Sequence, residues 1–141
     1  MRKFVLTFIL LLPLFFSHGQ SVLGRWKSID DITGKTVGIV EIYEKNGKIY
    51  GKIVEILIEK DKDKMCEMCA GNDKGKPILG LVILKGLQKD GDEYNGGHIL
   101  DPKQGKLYKC YITAEGPDKL KVRGYIGFSL LGRTQYWHRV K

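Results

Sequence analysis

The clearest pattern in the chain is a run of strict alternation close to its end. Leu120, Val122, Gly124, Ile126 and Phe128 occupy every second position, and Lys119, Lys121, Arg123 and Tyr125 fill the positions between. Successive side chains of a strand point to opposite faces, so a period of two predicts one buried and one solvated side. The preceding run behaves alike: Tyr108, Cys110 and Ile112 alternate with Leu107, Lys109, Tyr111 and Thr113. Turn chemistry and β-branched runs predict about eight strands in all. They span Leu23–Ile29, Thr36–Glu44, Lys48–Ile58, Ile78–Leu87, Glu93–Leu100, Lys106–Ala114, Lys119–Phe128 and Gly132–Val140. Between the second and third lies Asn46-Gly47, the pair that suits a two-residue hairpin because both residues need positive φ.

Consecutive antiparallel strands with short connections fit an all-β, up-and-down barrel, whose closure removes exposed sheet edges. A β-sandwich is the alternative that alternation and length leave open. Gly24-Arg25-Trp26 opens the first strand and Trp137-His138-Arg139 closes the last. If the sheet closes on itself, Arg139 can lie over the Trp26 indole. A cation–π contact of that kind contributes roughly 0.5–2 kcal/mol. Gly24, Trp26 and Arg139 are therefore expected to form a structural plug, not a binding site.

The first residues follow different rules. Arg2 and Lys3 precede an apolar run from Phe4 to Phe16, and Ser17-His18-Gly19 supplies small residues where a signal peptidase cuts. Residues 1–19 read as a secretory signal peptide, too short to span a bilayer. The expected mature part is a single domain over 20–141, soluble in a periplasm or outside the cell, with no membrane span and a monomeric state. The formal charge of +8 falls by two with the leader. The remaining basic excess admits nucleic acid, an anionic surface or simple solubility. Export and the dispersal of the lysines along the strands argue against nucleic acid.

Several short segments, taken in order, resemble one family. They are Gly24-Arg25-Trp26, Asn46 to Ile53, Lys76 to Gly80, Asp101 to Lys106, Leu120 to Tyr125, and Leu131 to Gln135 followed by Trp137 and Arg139. Together they resemble the uncharacterised exported bacterial family known as domain of unknown function 2147. The resemblance implies a calycin-like, lipocalin-type barrel and no assigned activity. In lipocalins a tryptophan placed like Trp26 packs at the closed end of the barrel under an arginine placed like Arg139. The chain departs from that pattern after Arg139, where the usual C-terminal helix has no room.

Residues 59–77 break the periodicity: long, charged and aperiodic, they predict a surface loop, a length often tied to function or mobility. The loop holds Cys66 and Cys69. A local disulfide is the favoured reading in an oxidising compartment. A redox pair would need a helix N-terminus to lower a thiol pKa, and zinc would need two further ligands at suitable spacing. Cys110 shares the phase of Tyr108 and Ile112, so it is expected as a small buried hydrophobe. Glu41, in phase with Ile39 and Tyr43, is expected to face solvent. His98 and His138 are expected as strand residues, with His138 on the face opposite Trp137.

No nucleophile, base or metal constellation stands out, so no enzyme and no cofactor are expected. The favoured function is binding of a small apolar or amphipathic molecule inside the barrel. Its expected lining is Tyr43, Tyr108, Cys110, Ile112, Val122, Ile126 and Phe128. Glycines 38, 51, 80 and 124 would either leave room for the ligand or ease curvature. The alternative is a dry barrel that binds another envelope or extracellular protein through the 59–77 loop or a basic face.

Overall fold

A computed structural model describes residues 21–141; the signal-peptide segment 1–19 lies outside the described residues. Eight strands form a closed antiparallel barrel in chain order: β1 (Gly24–Ile29), β2 (Thr36–Lys45), β3 (Lys48–Ile56), β4 (Val82–Asp90), β5 (Glu93–Asp101), β6 (Lys106–Ala114), β7 (Lys119–Tyr125) and β8 (Gly132–Arg139). Each strand pairs with the next, and β8 returns to β1. The β2–β3 hairpin turns at Asn46 and Gly47, with φ of 54° and 76°, the backbone a type I′ turn requires.

The connections alternate between two ends. The β2–β3, β4–β5 and β6–β7 turns share one end with Ser21–Leu23 and the last residues. The β1–β2, β3–β4, β5–β6 and β7–β8 connections crowd the other.

Alternation sorts the side chains as expected on most strands. Val40 and Ile42, Cys110 and Ile112, and Leu120 and Val122 point inward and are buried. Trp26 and Trp137 join them near the plugged end. Each fully buried valine, leucine or isoleucine side chain contributes about 1.5–3 kcal/mol relative to exposure.

Several strand ends differ from expectation, some of them by one residue, and the fourth strand runs on to Asp90. The third strand stops at Ile56 and the fourth begins at Val82. The seventh ends at Tyr125 although alternation runs on to Phe128. There the Ile126 amide donates to the Leu131 carbonyl and the Leu131 amide to Phe128, which turns the chain. Alternation in sequence cannot register such a turn.

The long β3–β4 connection is not a free surface loop. It carries two short 3₁₀ turns, Glu59–Asp61 and Gly71–Asp73, and an antiparallel bridge between Met65 and Pro77. Ile83 and Leu84 are adjacent yet both buried. Leu84 faces inward over Gly51, so Ile83 is covered from outside the barrel. Leu100, outward in the same way, is also buried. The connection supplies the cover: Lys85 Nζ on the outer wall lies 2.6 Å from Asp73 Oδ2. Cys66 and Cys69, bonded to each other with Cα atoms 5.4 Å apart, are buried in this outer layer. The Cys66 sulfur lies 3.5 Å from the Pro102 carbonyl. A Cβ on Gly105 would collide with the backbone of Met68, so only glycine lets the β5–β6 turn meet the loop here. The short disulfide therefore sits inside a packed seam and not on an exposed tip.

Candidate functional site

The plug is built from both ends of the described chain. Trp26 is fully buried, and its indole Nε1 donates to the Val22 carbonyl at 2.9 Å. The Arg139 guanidinium lies 4.2 Å from the ring centroid. Arg139 also donates to the carbonyls of Pro117, Leu23 and Ser21 at 2.7, 2.8 and 2.6 Å. Gly24 has φ of 115°, and a Cβ there would stand 3.0 Å from Arg139 Nη1. The glycine thus serves both the backbone turn and the close approach of the arginine.

The expected ligand lining divides in three. Cys110, Ile112 and Val122 face inward and are buried. Burial pushes the Cys110 thiol up to about 12, so it packs as an unreactive hydrophobe. Tyr108 shares that inward phase, is half-buried, and donates its hydroxyl to Gln104 Oε1 at 3.2 Å. Tyr43 is a correction. It points outward, stacked 5.9 Å from Tyr50 with Lys52 Nζ 5.6 Å above its ring. Val40 and Ile42 hold the inward phase of β2, which puts Tyr43 on the solvent side together with Glu41. Ile126 and Phe128 are a second correction: they lie beyond the end of β7, 62% and 74% exposed.

The glycines expected to leave room are occupied by neighbours. A Cβ on Gly51 would stand 2.9 Å from Leu84 Cδ1, one on Gly124 3.2 Å from Ile99 Cγ2, and one on Gly38 2.7 Å from the Glu55 carbonyl. Gly80 lies outside the strands, between β3 and β4. The small residues admit the protein's own side chains and backbone, which fill the middle of the barrel.

Open space lies elsewhere. A recess of about 200 Å³ near the plugged end is lined by Leu23, Glu44, Ile49, Lys89 and Tyr94, among others. A larger cleft of about 400 Å³ lies between the β1–β2 turn and β8. Its origin is the closing ladder. β1 and β8 pair only at Trp26↔Arg139 and Lys27↔His138, whereas β7 and β8 pair along the whole of β7. Beyond Lys27 the first and last strands separate. Ile29, Asp31, Gly34, Gln135, Tyr136 and His138 line the gap.

The polar part of this cleft is held in place. Arg133 Nε and Nη2 grip both carboxylate oxygens of Asp31. This charged pairing holds the Asp31 carboxyl below its ordinary range and raises the arginine. Asp30 Oδ1 accepts from the amides of Ile32 and Thr33 at 2.8 and 3.0 Å, which shapes the turn and lowers its own pKa. Gln135 Oε1 accepts from the Trp137 indole at 3.3 Å. Chemically this is a partly apolar notch with a neutralised ion pair on its rim. Sequence reading singled out none of these residues as a site, because a ladder that stops early leaves no mark in either strand.

Other groups fall where expected without forming a site. Glu41 faces outward, 3.1 Å from Arg25 Nε. Among the described residues no three His, Cys, Asp or Glu side chains converge as metal ligands. No helix of the described residues is long and apolar enough to cross a membrane.

Comparison with known proteins agrees with this architecture. No curated protein matches the chain. A solved structure, a Helicobacter pylori protein described as belonging to the lipocalin family, superposes with a TM-score of 0.74 at 22% identity, covering 86% of this chain and 84% of that one. At that identity the likeness shows a shared lipocalin-like fold. The family model for uncharacterised proteins conserved in bacteria, domain of unknown function 2147, matches residues 24–139. From the strand that carries Gly24 and Trp26 to the one that ends on Arg139, the chain belongs to that family.

Proposed function

We propose that the protein is an exported, non-catalytic binding protein that takes one small amphipathic molecule, and that the molecule lodges in the β1–β8 cleft instead of the barrel centre. The observation that carries this reading is the early end of the closing ladder, which leaves about 400 Å³ between Ile29 and β8. That volume falls in the range of small-molecule sites, about 300–1,000 Å³. Ile29 offers apolar contact, while Gln135, Tyr136 and His138 offer hydrogen bonds that would orient a polar end. The Asp31–Arg133 pair would contribute a fixed dipole at the rim.

Native mass spectrometry of the protein purified from its own envelope tests the reading. A bound mass that is lost on denaturation is expected, and it should be absent from a correctly folded Ile29→Trp variant, whose indole fills the cleft. The bare chain, or a bound mass unaffected by Ile29→Trp, would refute the cleft as the site.

A second reading, a dry barrel that binds an envelope protein, is favoured by the filled interior around Leu84, Ile112 and Trp137. It predicts no small molecule and a protein captured by cross-linking in the native envelope.

A further inference from the structure

Strand pairing assembles a surface that the sequence scatters. The outward residues of β6, β7 and β8 meet across the ladder: Lys109 opposite Tyr125, Tyr111 opposite Arg123, and Lys121 opposite Tyr136. Four basic side chains, Lys109, Lys119, Lys121 and Arg123, share this face, and none of its outward strand positions is acidic. Glu115 and Asp118 sit in the β6–β7 turn at the plugged end and face Lys119 and Lys141, and Glu93 of β5 stands opposite Thr113 at the edge of the face.

The tyrosines are interleaved with these cations. Lys121 Nζ lies 5.6 Å from the Tyr111 ring centroid and Lys119 Nζ 4.5 Å from that of Tyr136. Tyr111 and Tyr125 pack with centroids 6.2 Å apart.

At the opposite end of the barrel, where Arg133 holds Asp31, the same sheet continues into the β7–β8 connection. Its Phe128, Leu130 and Leu131 are 74%, 88% and 64% exposed. Arg123 ties the connection to the basic face, donating to the Ser129 carbonyl at 2.7 Å and to Thr134 Oγ1 at 2.8 Å. The apolar tip and the cationic face are thus held together as one unit.

We propose that this face docks the protein peripherally on an anionic lipid surface, with Phe128 and Leu130 entering the headgroup region and Lys109, Lys121 and Arg123 meeting acidic headgroups. Two independent features select this partner. The acid-free basic face is complementary to negative charge, and each lysine or arginine near such a surface strengthens attachment about fivefold. The exposed apolar tip has nothing to gain from a soluble polyanion, but gains from transfer into the acyl boundary. Tyrosine suits the interface because it is apolar along its body and polar at its tip. This docking does not depend on a ligand in the cleft, which shares only its edge, Tyr136, with the basic face.

The test is co-sedimentation of the mature chain with vesicles. Binding is expected to vesicles of phosphatidylglycerol and phosphatidylethanolamine and not to phosphatidylcholine, and to weaken as salt rises, because exposed charges are screened over about 10 Å at 0.1 M. Lys109→Gln with Lys121→Gln should weaken binding about 25-fold. Phe128→Ser with Leu130→Ser should weaken it more than tenfold. All four positions lie outside the barrel interior, so unchanged melting curves confirm that the variants fold. A Phe128→Trp variant should show a blue-shifted emission on anionic vesicles only. Absence of binding to the anionic vesicles, equal binding to both kinds, indifference to either double substitution, or binding only to a soluble acidic polysaccharide or a single-stranded nucleic acid would each overturn the proposal.

Discussion

Trp26→Ala isolates the plug from the rest of the barrel. The indole is fully buried, and burying a tryptophan removes about 150–250 Å² from water. At about 25 cal/mol per Å² that area is equivalent to about 4–6 kcal/mol, of which the alanine methyl keeps a small part. Large-to-small core substitutions of this type cost about 3–5 kcal/mol. The lost contact with Arg139, 4.2 Å from the ring, adds about 0.5–2 kcal/mol. The Val22 carbonyl loses its indole donor as well. Arg139 keeps its three carbonyl partners, so part of the plug survives. A total of about 4–5 kcal/mol corresponds to a fall in melting temperature of about 15–20 °C for a domain of this size. Trp26→Phe, which retains most of the area and loses the N–H donor, should cost less than half as much. Thermal unfolding followed by far-ultraviolet circular dichroism measures both. A fall below about 5 °C for Trp26→Ala would refute the role given to the plug, and equal falls for the two variants would assign the stability to the hydrogen bond instead of the buried area.

Replacing the cysteine pair by Cys66→Ser with Cys69→Ser should leave the barrel intact, because every rung of the barrel ladder lies outside the segment. The closed loop is short, so the entropic loss is about 2 kcal/mol, to which the burial of two hydroxyls adds; collapse of the near-native circular dichroism spectrum would show that the outer layer is required for folding. The Asp31–Arg133 pair should make stability depend on acid. Asp31 titrates lower in the folded chain than in the unfolded one, so its contribution is complete above the unfolded carboxyl value, about 4, and is lost as pH falls through the lowered folded value. Arg133 is half exposed, which limits the effect to about 1 kcal/mol or less. Melting temperatures measured from neutral pH down to about pH 2 should fall less steeply for Arg133→Gln than for the parent; parallel curves would show that the pair contributes nothing.

Much of the architecture follows from local rules. A period of two placed Cys110, Ile112 and Val122 inside, Asn46-Gly47 formed its hairpin, and the spacing of turn residues anticipated a closed sheet of eight strands. These features depend on each residue's immediate neighbours and on the alternation of a pleated backbone. Tyr43, Ile126 and Phe128 mark where that logic stops. On β2 both faces are partly apolar, so alternation alone does not say which one is inward; closure of the sheet decides it. After Tyr125 the same alternation continues through a turn.

The cleft, the outer layer and the basic face belong to the tertiary structure. The cleft exists because the ladder between the first and last strands stops at Lys27, a matter of how far a closing sheet can keep two strands in register. Leu84 and Ile99 occupy the space at Gly51 and Gly124 because they are cross-strand neighbours in the closed barrel. Ile83 and Leu100 are buried because the β3–β4 connection folds back across the wall. Lys121 and Arg123 share one face of β7 by alternation, but Lys109 joins them only through the β6–β7 register, which no single strand encodes.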